Sequence, residues 1–170
     1  DDVDGGPGDG DFVNEGLGDG RASGGTGDKD VILGDTGNDR VDGGGGSNDI
    51  ASYATSTGSL SINLAGDSVG GSETESLHGI EDAIGGSGND IIRGSGAPNR
   101  LDGGPGDDHL YAAGSGDRAF GGAGSNECTG GFVSKNSCGE ATGQDGTAVS
   151  LVESIDGSGS LVIDGNRKVD

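Results

Sequence analysis

From Gly85 onward the chain advances in steps of nine residues: GGSGNDIIR, GSGAPNRLD, GGPGDDHLY, AAGSGDRAF, GGAGSNECT. The eighth place of these units holds Ile92, Leu101, Leu110, Ala119 and Cys128, all apolar or small. The sixth holds Asp90, Asn99, Asp108, Asp117 and Asn126, all bearing a side-chain oxygen. A unit this short offers one inward side chain and cannot bury it alone. Only stacking of many units yields a continuous core, which makes the chain a solenoid rather than a globule.

The first fifty residues repeat less regularly. GGPGDGDFV, EGLGDGRAS, GGTGDKDVI, GDTGNDRVD and GGGGSNDIA begin at positions 5, 15, 24, 34 and 43, with Asn14 and Leu33 as single extra residues. In this frame the apolar place is Phe12, Ala22, Val31, Val41 and Ile50. Asp39 is the one aspartate in the sixth place, where Gly10, Gly20, Lys29 and Asn48 stand in the other units. Moving the first unit by one residue would put Asp11 there, so the frame of this block stays ambiguous, and Asp9, Asp11, Asp28 and Asp30 are alternative ligands in a shifted frame.

Composition leaves two outcomes, a disordered chain or one organised by something other than a thick core. There are 42 Gly, no Met or Trp, and 28% hydrophobic residues, too little bulk to offset the ordering entropy of a compact globule. Acidic residues outnumber basic ones 30 to 9, a formal net charge of −21. That field repels nucleic-acid phosphate and anionic membranes. Folding presses the carboxylates together, and cations between them would relieve the repulsion.

These units resemble the RTX (hemolysin-type) nonapeptide G-G-x-G-x-D-x-U-x, closely in GGSGNDIIR and GGPGDDHLY, well in GDTGNDRVD, and with degradation elsewhere. The resemblance runs over about residues 1 to 138. It implies an all-β fold, a right-handed parallel β-roll or β-solenoid, in which a six-residue loop alternates with a three-residue strand and two units complete one flattened turn. It also implies several Ca²⁺ ions between stacked loops, held by sixth-place side chains and loop oxygens, because calcium takes six to eight oxygen ligands. Asp90 and Asp108 then share the best site, with Gly85, Ser87, Asn89, Gly103, Pro105 and Asp107 supplying further loop oxygens. Asp108 and Asn126 frame the next site on that edge, and Asn99 and Asp117 one on the opposite edge. In the N-terminal block Asp39 faces Asp19, which stands in a fifth place.

The organisation expected is irregular repeats over 1–51, an inserted segment over 52–84, regular repeats over 85–131, and a terminal region over 132–170. Within the insert, Leu60, Ile62 and Leu64 alternate as a strand, Asp67 to Thr74 reads as a protruding surface loop, and Leu77, Ile80 and Ile84 lead back to the coil. His78 and His109 read as surface or turn residues. Cys128 and Cys138 are not spaced as a CxxC motif, and no second pair completes a zinc site; a disulfide is expected, with two buried free thiols as the alternative. Thr147 to Ser154 and Gly159 to Asp164 read as a hairpin that caps the coil or opens a following domain.

No H-E-x-x-H, G-x-S-x-G or Walker-type loop occurs, so the chain reads as a non-enzyme. The resemblance implies a secreted, extracellular or cell-surface setting, which would also favour the disulfide. With no initiator Met and an opening that reads like the tail of a repeat, the chain reads as a piece of a longer protein. Three roles fit: a module that folds on calcium binding at about 10⁻⁴ to 10⁻³ M, a structural or adhesive stalk, or the stabilising tail of a secreted hydrolase. Calcium is the expected partner, with fusion to an enzymatic or adhesive domain and self-assembly also compatible.

Overall fold

The computed structural model describes residues 2–34, 37–71 and 74–139, together with two short strands further on, Ser154–Ile155 and Leu161–Val162. The chain divides into two units, Asp1–Gly139 and Glu140–Asp170. The first is all-β among its described residues, a parallel β-solenoid of about 7 turns.

Two sheets make its walls. One has nine strands in the order β1 (Asp2–Asp4), β3 (Arg21–Ser23), β5 (Arg40–Asp42), β9 (Thr74–His78), β8 (Ser68–Gly70), β7 (Ser61–Asn63), β11 (Ile91–Arg93), β13 (His109–Tyr111), β15 (Glu127–Thr129). The other has seven: β16 (Ser134–Asn136), β14 (Arg118–Phe120), β12 (Arg100–Asp102), β10 (Asp82–Ile84), β6 (Ile50–Ser52), β4 (Val31–Leu33), β2 (Phe12–Val13). Outside β7–β9, successive strands alternate between sheets, so a strand of the regular units pairs in parallel with the one two units away, Ile92 beside Leu110 and Leu101 beside Ala119.

Alternation of side chains along a strand sends the middle residue of each triplet inward. Ile92, Leu101 and Leu110 are fully buried, and Ala119 and Cys128 continue the same interior file. Each large aliphatic residue contributes about 1.5–3 kcal/mol by leaving water, so a file of single side chains suffices. Among the described residues the file ends at β16, where the exposed Lys135 stands in register with Ala119. Its ammonium donates to the Cys128 carbonyl at 2.7 Å and lies over the Phe132 ring, so the last turn presents a charged group and closes the apolar file. Cys128 and Cys138 are disulfide-bonded there.

In the N-terminal block the structure corrects the frame. The inward residues are Val13, Ile32 and Ala51, each at most 2% exposed, whereas Phe12 is 70% exposed and Val31 and Ile50 flank the interior. The extra residues are not Asn14, which directly follows β2, and Leu33, which ends β4. They lie inside the loops that lead to β2, β4 and β6, each of seven residues. Gly10, Lys29 and Asn48 occupy the added place with φ of 75°, 66° and 63°. One left-handed residue absorbs the insertion without disturbing the strand that follows.

The insert also differs from expectation. Residues 68–70 form β8 and not a protruding loop; β8 runs antiparallel between β7 and β9. Ile62, Val69 and Leu77 from these three strands are buried in the core. The other sheet passes straight from β6 to β10, with Ala51 beside Ala83. Ser154–Ile155 (β17) and Leu161–Val162 (β18) pair antiparallel in the second unit, as a hairpin requires; the rest of the two expected strands lies outside the described residues.

Candidate metal centre: two columns of loop carboxylates

Stacked loops place equivalent residues above one another, and the sixth-place residues form a hydrogen-bonded ladder. The Asp90 amide donates to Asp108 Oδ1 (2.8 Å), the Asp108 amide to Asn126 Oδ1 (2.9 Å), and the Leu60 amide to Asp90 Oδ1 (2.8 Å). On the opposite edge the Asn99 amide donates to Asp117 Oδ1 (2.9 Å). The N-terminal block continues both columns: Asp11 to Asp30 and Asp30 to Asp49 on one edge, Gly20 to Asp39 on the other. Within the insert Glu81 takes the equivalent place, accepting from the Asp49 amide at 3.1 Å.

Sequence reasoning missed Asp49 as a column member and left Asp11 and Asp30 as alternatives. The signal was present as G-G-x-G-x-x-D, repeated every nineteen residues through Asp11, Asp30 and Asp49. Gly20, next to Asp19, donates its amide to Asp39 Oδ1, and Asp19 has a ladder bond of its own. It belongs to a second, exposed ladder of fifth-place residues, accepting from the Asn38 amide at 3.0 Å. Asn89 and Asp107 stand in that outer ladder too: Asn89 Oδ1 accepts from Asp107, and Asp107 Oδ1 accepts from the Ser125 amide. Ser87 is held to the Ser56 carbonyl, and Pro105 bridges to Ala123 of the next turn.

One carboxylate oxygen of each inner aspartate beyond Asp11, the first rung, serves the ladder. The second is buried and without a hydrogen-bond partner at Asp11, Asp30, Asp39 and Asp108. A buried, unsatisfied carboxylate oxygen is costly and calls for a positive partner. The glycine that opens each loop shows what surrounds it. A Cβ built on Gly85 would lie 2.5 Å from Asp90 Oδ2 and 2.6 Å from the Gly103 carbonyl oxygen. At Gly24 the same place is 2.8 Å from Asp30 Oδ2 and 2.7 Å from the Gly43 carbonyl; at Gly103 it meets Asp108 Oδ2 and the Gly121 carbonyl. On the far edge, Gly94 faces Asn99 Oδ1 (2.8 Å), Asp117 Oδ2 (3.2 Å) and the Tyr111 carbonyl (3.5 Å). Without a side chain at the loop's first residue, oxygens from two turns converge on one small volume.

Asn126 fits this pattern poorly. Its amide nitrogen donates to the Gly122 and Ser137 carbonyls and fills the space with hydrogen bonds. Among the described residues no three of His, Cys, Asp and Glu gather as a metal-binding group. The cradles rely instead on one or two side-chain oxygens plus main-chain carbonyls, which suits a hard cation and not zinc. His109 lies on β13, half exposed, 3.5 Å from Glu127.

Electrostatics point the same way. Burial pushes the Asp90 carboxyl above its usual range, and burial with the charges of Asp90, Asp107 and Asp102 does so for Asp108. Burial likewise raises Asp49 and Glu81. These groups lie where the protein itself supplies little positive charge.

A parallel β-solenoid with oxygen-lined cradles along its loop columns belongs to the class of cation-binding β-rolls. The RTX calcium-binding nonapeptide repeat model matches residues 16–53, 84–118 and 102–132, in four copies that together span more than half of the chain. The chain therefore belongs to the RTX calcium-binding repeat family, whose nonapeptides bind calcium. The same ladder reaches below position 16, through Asp11. A search of curated proteins returns no match.

Proposed function

We propose that this chain is an extracellular, non-catalytic calcium-binding module of a larger secreted protein, which coils into its β-roll on binding several Ca²⁺ ions. The observation that carries this reading is the set of buried oxygens without hydrogen-bond partners at Asp11, Asp30 and Asp108, each facing a carbonyl oxygen across the place where a loop's first side chain would stand. The residues that would hold calcium are Asp90 with Gly103, Asp108 with Gly121, Asn99 with Asp117, Asp11 with Gly24, and Asp30 with Gly43. Asp107, Asn89, Ser87 and Pro105 shape the loops from outside these cradles.

A chain of net charge −21 with few large apolar residues gains little from collapse alone. Cations that bind the coiled state and not the extended one shift the equilibrium towards the coil by mass action. Calcium supplies the positive charge that the loop columns lack. The protein's residues bring the two turns into register, present the oxygens and keep side chains out of the cradle.

Far-UV circular dichroism during a Ca²⁺ titration, with Mg²⁺ as control, tests this. A cooperative coil-to-β transition is expected with Ca²⁺ alone, its midpoint moved to higher concentration by Asp90→Ala and by Asp108→Ala. Complete β structure in excess chelator would overturn folding on calcium binding.

A further inference from the structure

The loop-opening residues on the edge entered from the seven-stranded sheet form one column: Glu15, Gly34, Tyr53, Gly85, Gly103, Gly121. Its register follows from Leu33 beside Ser52 and Ser52 beside Ile84, and from the Gly34 amide donating to Ser52 and the Tyr53 amide to Ile84. Tyr53 thus stands where the regular units have glycine. Its ring is 1% exposed. A Cβ built on Gly34 would lie 2.6 Å from both Cδ1 and Cζ of that ring, with Cε1 nearer still. At Gly85 the equivalent point faces oxygens, Asp90 Oδ2 and the Gly103 carbonyl.

Resting on the calcium reading above, we propose that Tyr53 replaces an ion: its ring plugs the Gly34–Asp39 cradle and makes this one turn a calcium-free clamp. Asp39 retains a buried oxygen without a hydrogen-bond partner, as Asp108 does, so the carboxylate does not distinguish the two cradles. The ring does, because one volume cannot hold both six aromatic carbons and a hydrated or ligated cation. The phenol also has its own anchor, donating to Glu75 Oε2 at 2.6 Å. Glu75 lies on β9, beside Asp39 in the column, where the insert enters the nine-stranded sheet. Tyr53 therefore ties the coil to the insert at the position where the loop column is interrupted, and it does so without metal.

Calcium stoichiometry of the full chain, measured by calorimetry and equilibrium dialysis, tests the plug. Tyr53→Gly is expected to bind one more ion per chain than the wild type, and Tyr53→Phe, which keeps the ring, the same number. An unchanged stoichiometry in a calcium-folded Tyr53→Gly would overturn the plug. Should Tyr53→Gly fail to fold, acrylamide quenching of tyrosine fluorescence in Tyr111→Phe decides, because Tyr53 is then the sole tyrosine. Shielded emission at saturating Ca²⁺ supports the clamp, and quenching like that of free tyrosine means an ion has displaced the ring. Absence of any calcium binding in the wild type would instead defeat the functional reading itself, an outcome separate from either result above.

Discussion

Asp108 works in two directions at once. One oxygen accepts from the Asp90 amide of the preceding turn, its own amide is taken by Asn126 of the next, and the second oxygen is left for a cation. Burial makes its ionisation unfavourable in the metal-free coil, and the same holds for Asp90, Asp49, Glu81 and Asp82. A carboxyl raised above its unfolded value binds more protons in the folded state, so stability grows as pH falls through the folded value towards 3.8. Asp42 has the opposite sign: burial pushes it up, but hydrogen bonds from Arg40 and Arg21 outweigh that, and its contribution is lost as pH drops below 3.8. Five groups against one set the direction. In chelator, acidification from neutral pH to just above that value should therefore increase β content by circular dichroism, whereas with Ca²⁺ present it should raise the concentration needed for folding. β content that falls on acidification in chelator would contradict this. Asp90 and Asp108 were legible in the sequence because the nine-step frame admits one placement there. Asp49 was not, because Asn48 fills the sixth place of the same frame, and only the backbone reveals that Asn48 has turned left-handed.

At the scale of the element, a unit has either nine or ten residues, and the added one always lies in the loop. A strand has a period of two, so an uncorrected insertion would turn every side chain to the wrong face. Lys29 takes up that shift, and Ile32 rather than Val31 points inward as a result. Ile32→Ala should accordingly cost about 2–5 kcal/mol in the calcium-loaded protein, while Val31→Thr should stay within about 0.5 kcal/mol; urea denaturation measures both. Equal costs would return the frame to Val31. Residue type alone could not settle this choice, since Val31 and Ile32 are adjacent, both aliphatic and both β-formers. The insert shows the reverse case: alternation made β7 readable through Leu60, Ile62 and Leu64, but Ser68–Gly70 carries a single apolar residue and becomes a strand because β7 and β9 hold it between them.

Across the whole solenoid, stability comes from repetition of weak units, and the ends have most to lose. At the C-terminal end the disulfide closes a loop of sequence separation 10, worth about 3 kcal/mol by the chain-entropy estimate. Cys138→Ser, or reduction, should lower the stability of the calcium-loaded form by about that amount in urea, read from the midpoint; an unmoved midpoint would mean that Lys135 and Phe132 close the coil unaided. That the cysteines lie close in space was legible from their place beside the last repeat. The role of Lys135 was not, because nothing in a lone lysine announces that it stands in register with the interior file.

The inner ladder always runs from an earlier turn's amide to a later turn's side chain, and the outer ladder runs back: Asp28 donates to Asp9, Ser47 to Asp28, Asp107 to Asn89. The stack therefore has an arrow, like a filament with distinct head and tail. Every turn is both lock and key for its neighbours, and a single unit cannot be spliced out without exchanging the two edges. The quantum of growth or loss is a full revolution, eighteen residues in one block and nineteen in the other, as the separations along the ladders record.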